Sequence, residues 1–574
     1  MRNDWRIYLF FVFVFFIGSG VLARLFSLQI LDYNHYSALA QDQHQIYQEI
    51  FPQRGEIFIQ DLSIKKRTGQ DYYYPLAVNK EFYQVYLVPK NIPEENREAL
   101  ADKLSLILDL DKDVILQRMN KPDDPYEPLK HKVEKEITEQ IKNLEDEGVG
   151  ISSEIWRYYP NDSLAGHITG FVGMDDNGKI GQYGLEGYYE NELKGKDGFI
   201  AGEKDTAGYW IPSLGQEFKP AEDGADLVLT IDQNIQFRAE KELNELLEKW
   251  QATSGDIIAM NPKTGAILAM ASRPVFNPNE YKKEKNTDVF LNPGIQKVYE
   301  LGSIFKPITM AIGLDTGKVR PETTYYDEGR IQIKGSFIGN ADGKSYGEQT
   351  MMQVLEKSIN TGAVFVQQTA GESAFQDYVQ KFGFGQPTGV DLVGEVGGDI
   401  SNLFSGREIN LATISFGQGI AVTPLEMINA IAAVANEGKL MRPYLVEKKI
   451  WPDGKKEVVQ PKEIRRVISS ETAGKLTKML VSVVDNGHAK SAKVSGYSIA
   501  GKTGTAQVPD PEKGGYSEGT IHSFVGFAPA FNPEFVILIK MDQPQGIRFA
   551  ESSVVPVFKK LASYLFGYLE IPPQ

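Results

Sequence analysis

Ser303 and Lys306 stand three residues apart in Tyr299-Glu300-Leu301-Gly302-Ser303-Ile304-Phe305-Lys306-Pro307. On a helix that starts near the serine, positions i and i+3 share a face, so the hydroxyl and the amine can meet. Gly302 suits a tight turn into such a helix. Pro307 is tolerated only in a first turn, where a backbone N–H lacks an intrahelical partner anyway. The spacing therefore predicts a helix beginning at or just before Ser303, with both groups at the positive end of its dipole. An ammonium is disfavoured there and a developing oxyanion is favoured. A lysine desolvated in such a cleft loses its proton near neutral pH and acts as a base toward the serine.

Two residues at one spacing are a weak signal, and the chain repeats the spacing at Ser63 and Lys66. That pair lies in the polar run Leu62 to Gln70, without a helical start signal, and reads as solvated loop. Ser303 is set apart by two motifs downstream of it: Ser358-Ile359-Asn360, then Lys502-Thr503-Gly504-Thr505. A second serine can relay a proton, and Asn360 can hydrogen-bond a substrate amide. Lys502 supplies positive charge, and Gly504 lets a substrate strand lie close to the backbone. A decoy of the last motif, Lys263-Thr264-Gly265, precedes the serine. It comes after Asn261-Pro262 between two apolar runs and reads as a hairpin turn.

The ordered set Ser303/Lys306, Ser358/Asn360, Lys502-Thr503-Gly504 is that of the penicillin-recognising serine acyl transferases. The likeness extends to Pro262–Ser272, to Phe416–Pro424, and to Arg157-Tyr158-Tyr159-Pro160 followed by Gly184-Leu185-Glu186-Gly187 and Tyr189 to Gly195. Nearly the whole chain resembles a class B (monofunctional) penicillin-binding protein, a peptidoglycan D,D-transpeptidase. The resemblance implies that Ser303 attacks the carbonyl between the terminal D-alanines of a stem peptide while Lys306 takes its proton. It implies an oxyanion hole from the N–H groups of Ser303 and Thr505, and proton relay through Ser358 and Lys502. Thr503, Thr505 and Lys502 would hold the substrate carboxylate, β-lactams would acylate Ser303, and no cofactor or metal is needed. Ile304 and Leu301 replace the family's frequent threonine and proline without removing a catalytic group. Arg54-Gly55-Glu56-Ile57 resembles the signature that opens the family's pedestal, but Phe58-Ile59-Gln60-Asp61 replaces its usual continuation.

The elements that must carry these residues read as α+β. Leu227–Ile231 is a strand, and Asp232 can cap the helix carrying Ile235 to Leu247. Gly255–Met260 and Ala266–Ser272 form a hairpin. A largely helical stretch runs from Ser303 to about Val434 and carries Ser358 and Asn360. Strands return at Ser498–Thr505, His522–Ala528 and Phe535–Lys540, and an apolar helix at Val554–Leu569 can pack on them. Lys502 to Thr505 then line a strand beside a cleft floored by the Ser303 helix, with a loop between Val508 and Gly519 able to gate it. Upstream, Phe82–Val88 alternates as a strand, and Glu94–Leu108 and Lys130–Leu144 read as amphipathic helices. Pro212–Asp226 reads as a linker.

Length suggests more than one domain. We expect a cytoplasmic tail and transmembrane anchor over 1–31 and an elongated mixed α/β pedestal over 32–220. A transpeptidase domain over 221–574 would pair an antiparallel sheet with a helical subdomain. A formal charge of −15 argues against a nucleic-acid partner. The absence of cysteine excludes disulfides, thiol catalysis and cysteine-ligated zinc. The uncharged run Ile7–Ala23 spans roughly 25 Å as a helix, and apolar residues continue past Arg24, which can snorkel. An uncleaved anchor fits that continuation better than a signal peptide cut after Val21-Leu22-Ala23. Arg2 and Arg6 favour a cytoplasmic N-terminus, and the resemblance implies a single-pass protein of a bacterial inner membrane with its catalytic domain extracytoplasmic.

With no glycosyltransferase domain in the sequence, the resemblance implies a polytopic membrane polymerase as partner. The short cytoplasmic tail and the arrangement look more like the division (septal) type, with an elongation-type transpeptidase as the alternative. A D,D-carboxypeptidase, a β-lactamase and a non-catalytic β-lactam sensor or scaffold are the rival readings.

Overall fold

The computed structural model describes residues 5–31, 45–121, 124–175, 178–203, 217–509 and 515–573. Trp5–Phe26 is an α-helix continued by a π-turn, Ser27–Leu31. Leu9–Ile30 is long and apolar enough to cross a membrane, and Phe10, Phe11, Phe13, Phe15 and Phe16 along it are exposed. The chain divides into two compact units, one of residues 1–54 and 194–224, the other of 55–193 and 225–574. In the first, Gln45–Ile50, Gly198–Glu203 and Glu217–Lys219 form a three-stranded sheet. The linker expected over Pro212–Asp226 is outside the described residues up to 216, and beyond them it supplies one of these strands. Residues 32–44, at the start of the expected pedestal, also lie outside the described residues.

The second unit contains two large sheets. In one, Asp226–Asp232 pairs parallel with Ile57–Gln60 and antiparallel with Val446–Ile450. Tyr73–Leu87 extends that sheet and pairs with both Glu127–Val133 and Val149–Tyr158. Segments on either side of residue 220 thus share one sheet, because Leu227, Leu229 and Ile231 share one core with Ile57 and Ile59. A separate core of Val85, Leu87, Leu100, Leu104, Leu108, Leu129, Val133 and Ile141 lies further along it.

Two helical expectations change here. Lys130–Leu144 is not one helix: Glu127–Val133 is a strand, and the helix is Lys135–Lys142. Val133 is apolar at helical spacing from Ile137, yet cross-strand pairing with Tyr83 claims it for the sheet. Conversely, the Ser63 segment is not a loop. Leu62–Thr68 is helical, with Asp61 accepting from Ile64 N–H at 2.9 Å and Gly69 ending it at φ 72°. The overlooked signal was that cap-and-glycine pair.

The other sheet is antiparallel and five-stranded, in the order Ile267–Arg273, Ser254–Met260, Phe535–Asp542, Tyr516–Ala528, Ala500–Pro509. Gln233–Trp250, capped by Asp232, and Val554–Tyr568 cover one face. Phe524 meets Phe558 at 4.8 Å between centroids, and Gly255 admits Leu243 and Leu247 of the capped helix. Pro424–Ala435 packs on the opposite face with every residue buried, which is why it is apolar all round. The helical stretch after Ser303 is interrupted by two small ladders: Thr324–Asp327 with Gly347–Thr350, and the hairpin Arg330–Ile333/Ser336–Gly339.

Candidate active site

The nucleophile segment enters as a two-residue strand, Tyr299–Glu300, paired with Ala421–Val422. It then turns through a 3-10 segment, Gly302–Phe305, into the helix Lys306–Asp315. Ser303 therefore lies in the turn that feeds the helix, and Lys306 is the first α-helical residue, with Pro307 in the first turn as expected. Gly302 has φ 55°, and a Cβ there would come within 3.1 Å of Ala506 and 3.2 Å of the Thr505 carbonyl. Its N–H donates to the Gly417 carbonyl at 2.9 Å. A Cβ on Gly417 would strike the Gly302 carbonyl at 2.1 Å. Both glycines are needed so that the nucleophile turn can lie backbone-to-backbone between two segments.

The second motif joins two helices, Met351–Glu356 and Asn360–Ala370. Ser358 takes a left-handed backbone, φ 54°, rare for a residue with a Cβ. That conformation breaks the helical path and directs both its carbonyl and its hydroxyl at Lys306. Lys306 Nζ donates to the Ser358 carbonyl at 2.5 Å and to Asn360 Oδ1 at 2.7 Å, with Ser358 Oγ at 3.2 Å. Lys502 Nζ donates to the same Oγ at 2.9 Å. Ser358 Oγ is thus suspended between two ammonium-forming groups. Asn360 Nδ2 donates to the Gly339 carbonyl at 2.9 Å with one of its two N–H bonds, and its Oδ1 serves Lys306, a use the sequence did not indicate.

Lys306 and Lys502 are each 1% exposed. Among the described residues neither bonds to a carboxylate. Burial first, and the Lys502 charge second, hold the Lys306 amine well below the usual lysine range. Burial lowers Lys502 to about 7. Ser303 is only half-buried, and among the described residues its hydroxyl makes no hydrogen bond. The site thus pairs an open hydroxyl with a desolvated amine on the following turn, the combination an activated serine requires.

Lys502, Thr503, Gly504 and Thr505 lie on Ala500–Pro509, the last strand of the sheet, which among the described residues pairs only with Tyr516–Ala528. Its far edge can accept an extended chain. Gly504 faces protein: a Cβ would meet Ser523 Oγ at 2.5 Å, Ile304 at 2.9 Å and the Leu301 carbonyl at 3.1 Å. The glycine lets this strand close on the nucleophile turn. Thr503 is buried, and Thr505 is half-buried with its hydroxyl accepting from Ala550 N–H at 3.3 Å.

The decoys fall elsewhere. Lys263-Thr264-Gly265 forms the turn between Ser254–Met260 and Ile267–Arg273, with Lys263 paired to Glu534 at 2.9 Å. Of the loop expected to gate the cleft, 510–514 lie outside the described residues, and Tyr516 to Gly519 are strand. Tyr516 carries no motif that marks it as a site residue. Its hydroxyl donates to Glu300 Oε2 at 3.0 Å, while Glu300 Oε1 accepts from Gly419 N–H at 3.0 Å. Burial raises the Glu300 carboxyl, and these two donors oppose that rise. Only the position of Glu300 three residues before Ser303 hinted at this bridge.

A serine–lysine nucleophile turn set between a helical subdomain and the edge of an antiparallel sheet defines an acyl-transferring class of fold and site. Residues 255–563 match the penicillin-binding protein transpeptidase domain, and residues 49–229 the penicillin-binding protein dimerisation domain. The chain is 34% identical over 99% of its length, and 85% of the relative's, to stage V sporulation protein D of Bacillus subtilis. It is 30% identical to peptidoglycan D,D-transpeptidase FtsI of Escherichia coli K12, over 89% of this chain and 84% of that one. The crystal structure of penicillin binding protein 3 from Mycobacterium tuberculosis complexed with aztreonam superposes with a TM-score of 0.69. It is 25% identical and covers 92% of this chain and 98% of that one. This chain belongs to the class B penicillin-binding proteins, the peptidoglycan D,D-transpeptidases.

Proposed function

We propose that Ser303 is the nucleophile and Lys306 the base of a stem-peptide cross-linking reaction. The observation that carries this is the hydrogen-bonded chain Lys306–Ser358–Lys502, with both lysines buried, together with an open Ser303 hydroxyl. Ser303 Oγ bonds to the penultimate D-alanine carbonyl carbon as its proton passes to Lys306. The backbone N–H groups of Ser303 and Thr505 receive the oxyanion; one such donor contributes ~3 kcal/mol. The C–N bond then breaks, and the departing D-alanine amine takes a proton relayed through Ser358 Oγ. The amine of a neighbouring stem peptide attacks the ester, forms the new amide and returns Ser303 its proton. Thr503 and Thr505, with protonated Lys502, hold the substrate carboxylate. Lys502 Nζ also reaches the Thr503 carbonyl at 3.1 Å, which keeps it within this strand.

In this reading residues 1–31 anchor the chain in the bacterial cell membrane, 32–220 form the pedestal and 221–574 the catalytic domain, facing outside. The glycan strands come from a polytopic membrane polymerase. The 30% identity to FtsI supports a division role. The 34% identity to a sporulation protein over nearly the whole chain favours a second reading, wall synthesis during spore formation. Depletion separates them: filamentous cells mark the first, and normal division with loss of heat-resistant spores the second.

The chemistry is tested with a fluorescent penicillin on the full-length protein in detergent, wild type beside Ser303→Ala. Label that persists for hours on wild type only is expected. Label that clears within minutes would indicate a hydrolase, and no label on folded wild type would exclude the acyl transferase.

A further inference from the structure

Asp327 is fully buried at the end of the strand Thr324–Asp327. Among the described residues it forms no ion pair. Four donors surround it instead. Oδ1 accepts from Thr361 Oγ1 at 2.6 Å and Gly329 N–H at 3.1 Å. Oδ2 accepts from Asn340 Nδ2 and from Tyr346 N–H, each at 2.9 Å. A carboxylate is acceptor-only, so the Asn340 side chain must turn its NH₂ toward it. The Lys344 carbonyl, 2.9 Å from the same Nδ2, imposes the same orientation.

That leaves Asn340 Oδ1 facing the other way, where it accepts from Asn360 N–H at 3.0 Å and Thr361 N–H at 3.4 Å. These belong to the free N–H groups that open the helix Asn360–Ala370. The neighbouring Gly339 carbonyl takes Asn360 Nδ2, which leaves Asn360 Oδ1 for Lys306. A neutral lysine has two N–H bonds and one lone pair. With the N–H bonds on the Ser358 carbonyl and Asn360 Oδ1, the lone pair is left for a hydroxyl: Ser358 Oγ stands at 3.2 Å, and in the proposed reaction Ser303 takes that place.

We propose that Asp327 and Asn340 are positioning residues for acylation: acting through Asn360, they orient the Lys306 amine toward Ser303. The inference rests on the reading of Lys306 as the base. It concerns buried residues that carry no family motif.

Replacing Asp327 by asparagine sets an NH₂ either against both the Asn340 NH₂ and the Tyr346 N–H or, turned over, against the Gly329 N–H and Thr361 Oγ1. In the first orientation Asn340 gains by flipping, which would aim its own NH₂ at the start of the Asn360 helix; in the second the Thr361 hydroxyl loses its acceptor at that same helix start. Asn340→Ala removes the link outright. Misplacement of a reacting group by about 1 Å costs on the order of 10²-fold.

The test measures acylation rates of the full-length protein by fluorescent penicillin from pH 5 to pH 9, with thermal unfolding of each variant alongside. Wild type, Asp327→Asn, Asn340→Ala and Ser303→Ala are compared. Among the described residues the charged group bearing on the Lys306 amine is Lys502, and all variants retain it. Losing the Asn360 carbonyl deprives the Lys306 ammonium of an acceptor. The expected result is a plateau rate 10- to 100-fold lower, with the acid limb moved to lower pH. A folded variant acylating within twofold of wild type overturns the inference. So does a lower rate with the acid limb unmoved, which would mark a structural role only. Should either variant lose its cooperative unfolding transition, Thr361→Ser against Thr361→Val decides: the hydroxyl-bearing serine must acylate faster, and equal rates overturn the inference. Wild type that does not label at Ser303 refutes the acylation reading itself, an outcome distinct from all of these.

Discussion

Ser63 and Lys66 share the spacing of Ser303 and Lys306, and both pairs stand in the first turns leading into a helix. Their surroundings differ. The Leu62–Thr68 helix buries none of its residues, and Lys66 reaches across the surface to the Leu569 carbonyl. Ser63 spends its carbonyl on Arg67 Nε. Lys306 is buried among acceptors with no carboxylate partner among the described residues, and a second buried lysine lies one serine away. Spacing brings a hydroxyl and an amine to one face, but only desolvation turns the amine into a base at neutral pH.

The sharpest way to break this comparison is to remove each amine. Lys306→Met should lower the acylation rate about 10³-fold, the scale of a positioned general base, while Lys66→Met stays within twofold. Stopped-flow penicillin acylation measures both. Comparable losses at the two sites would mean that fold integrity, not base chemistry, controls the rate.

The two lysine-threonine-glycine runs give a second pair. Lys263 is half-exposed and tied to Glu534 and Asn532. Lys502 is enclosed, and burial lowers it to about 7. If protonated Lys502 holds the substrate carboxylate, kcat/KM for a carboxylate-bearing substrate must fall as pH rises through about 7 in the free enzyme. Protonation of Lys306 sets the opposite, acid limb. Lys502→Met should cost about 10²-fold, the loss of a charge-assisted contact, and Lys502→Arg should carry the basic limb upward, because a guanidinium keeps its proton. Lys263→Met should leave the profile unchanged. A basic limb unmoved by Lys502→Arg would assign it to another group.

Much of this contrast was legible in the sequence. The ordered motifs separated Ser303 from Ser63 and Lys502 from Lys263, and the strands of the catalytic sheet followed from apolar runs bounded by turns. The parts that were not legible depend on contacts distant in the chain. Val133 sits at helical spacing yet belongs to a strand, because Tyr83 is its partner. Asn360 is suited by type to a substrate amide, but nothing in its type announces the bonds of its side chain to the Gly339 carbonyl and to Lys306, which leave one N–H of Nδ2 over. Gly504 is suited to substrate approach, and the structure adds a packing reason the sequence did not announce: Ile304 and the Leu301 carbonyl fill the space where a Cβ would stand. Asp327 and Asn340 offer no periodic or motif signal, since their role exists only once a hairpin folds against the Asn360 helix.

The smallest expected effect concerns stability. A lysine whose folded pKa is depressed binds its proton less well in the folded than in the unfolded chain. For Lys502 the folded value is about 7, against ~10.4 in an unfolded chain. Between those values the unfolded state holds more protons, so stability rises with pH across this window, and the full cost applies below pH 7. Lys306, also depressed, adds a cost of the same sign. Lys502→Met should therefore unfold at a temperature higher than wild type by about 3 °C at pH 6, with the gain shrinking toward pH 10. Lys66→Met, on an exposed helix, should show no such pH-dependent gain. Differential scanning calorimetry at pH 6, 8 and 10 reads both. A gain of equal size at all three values would trace to better packing by methionine. A loss at pH 6 would mean that the buried amine is stabilised by its acceptors more than it is penalised by burial.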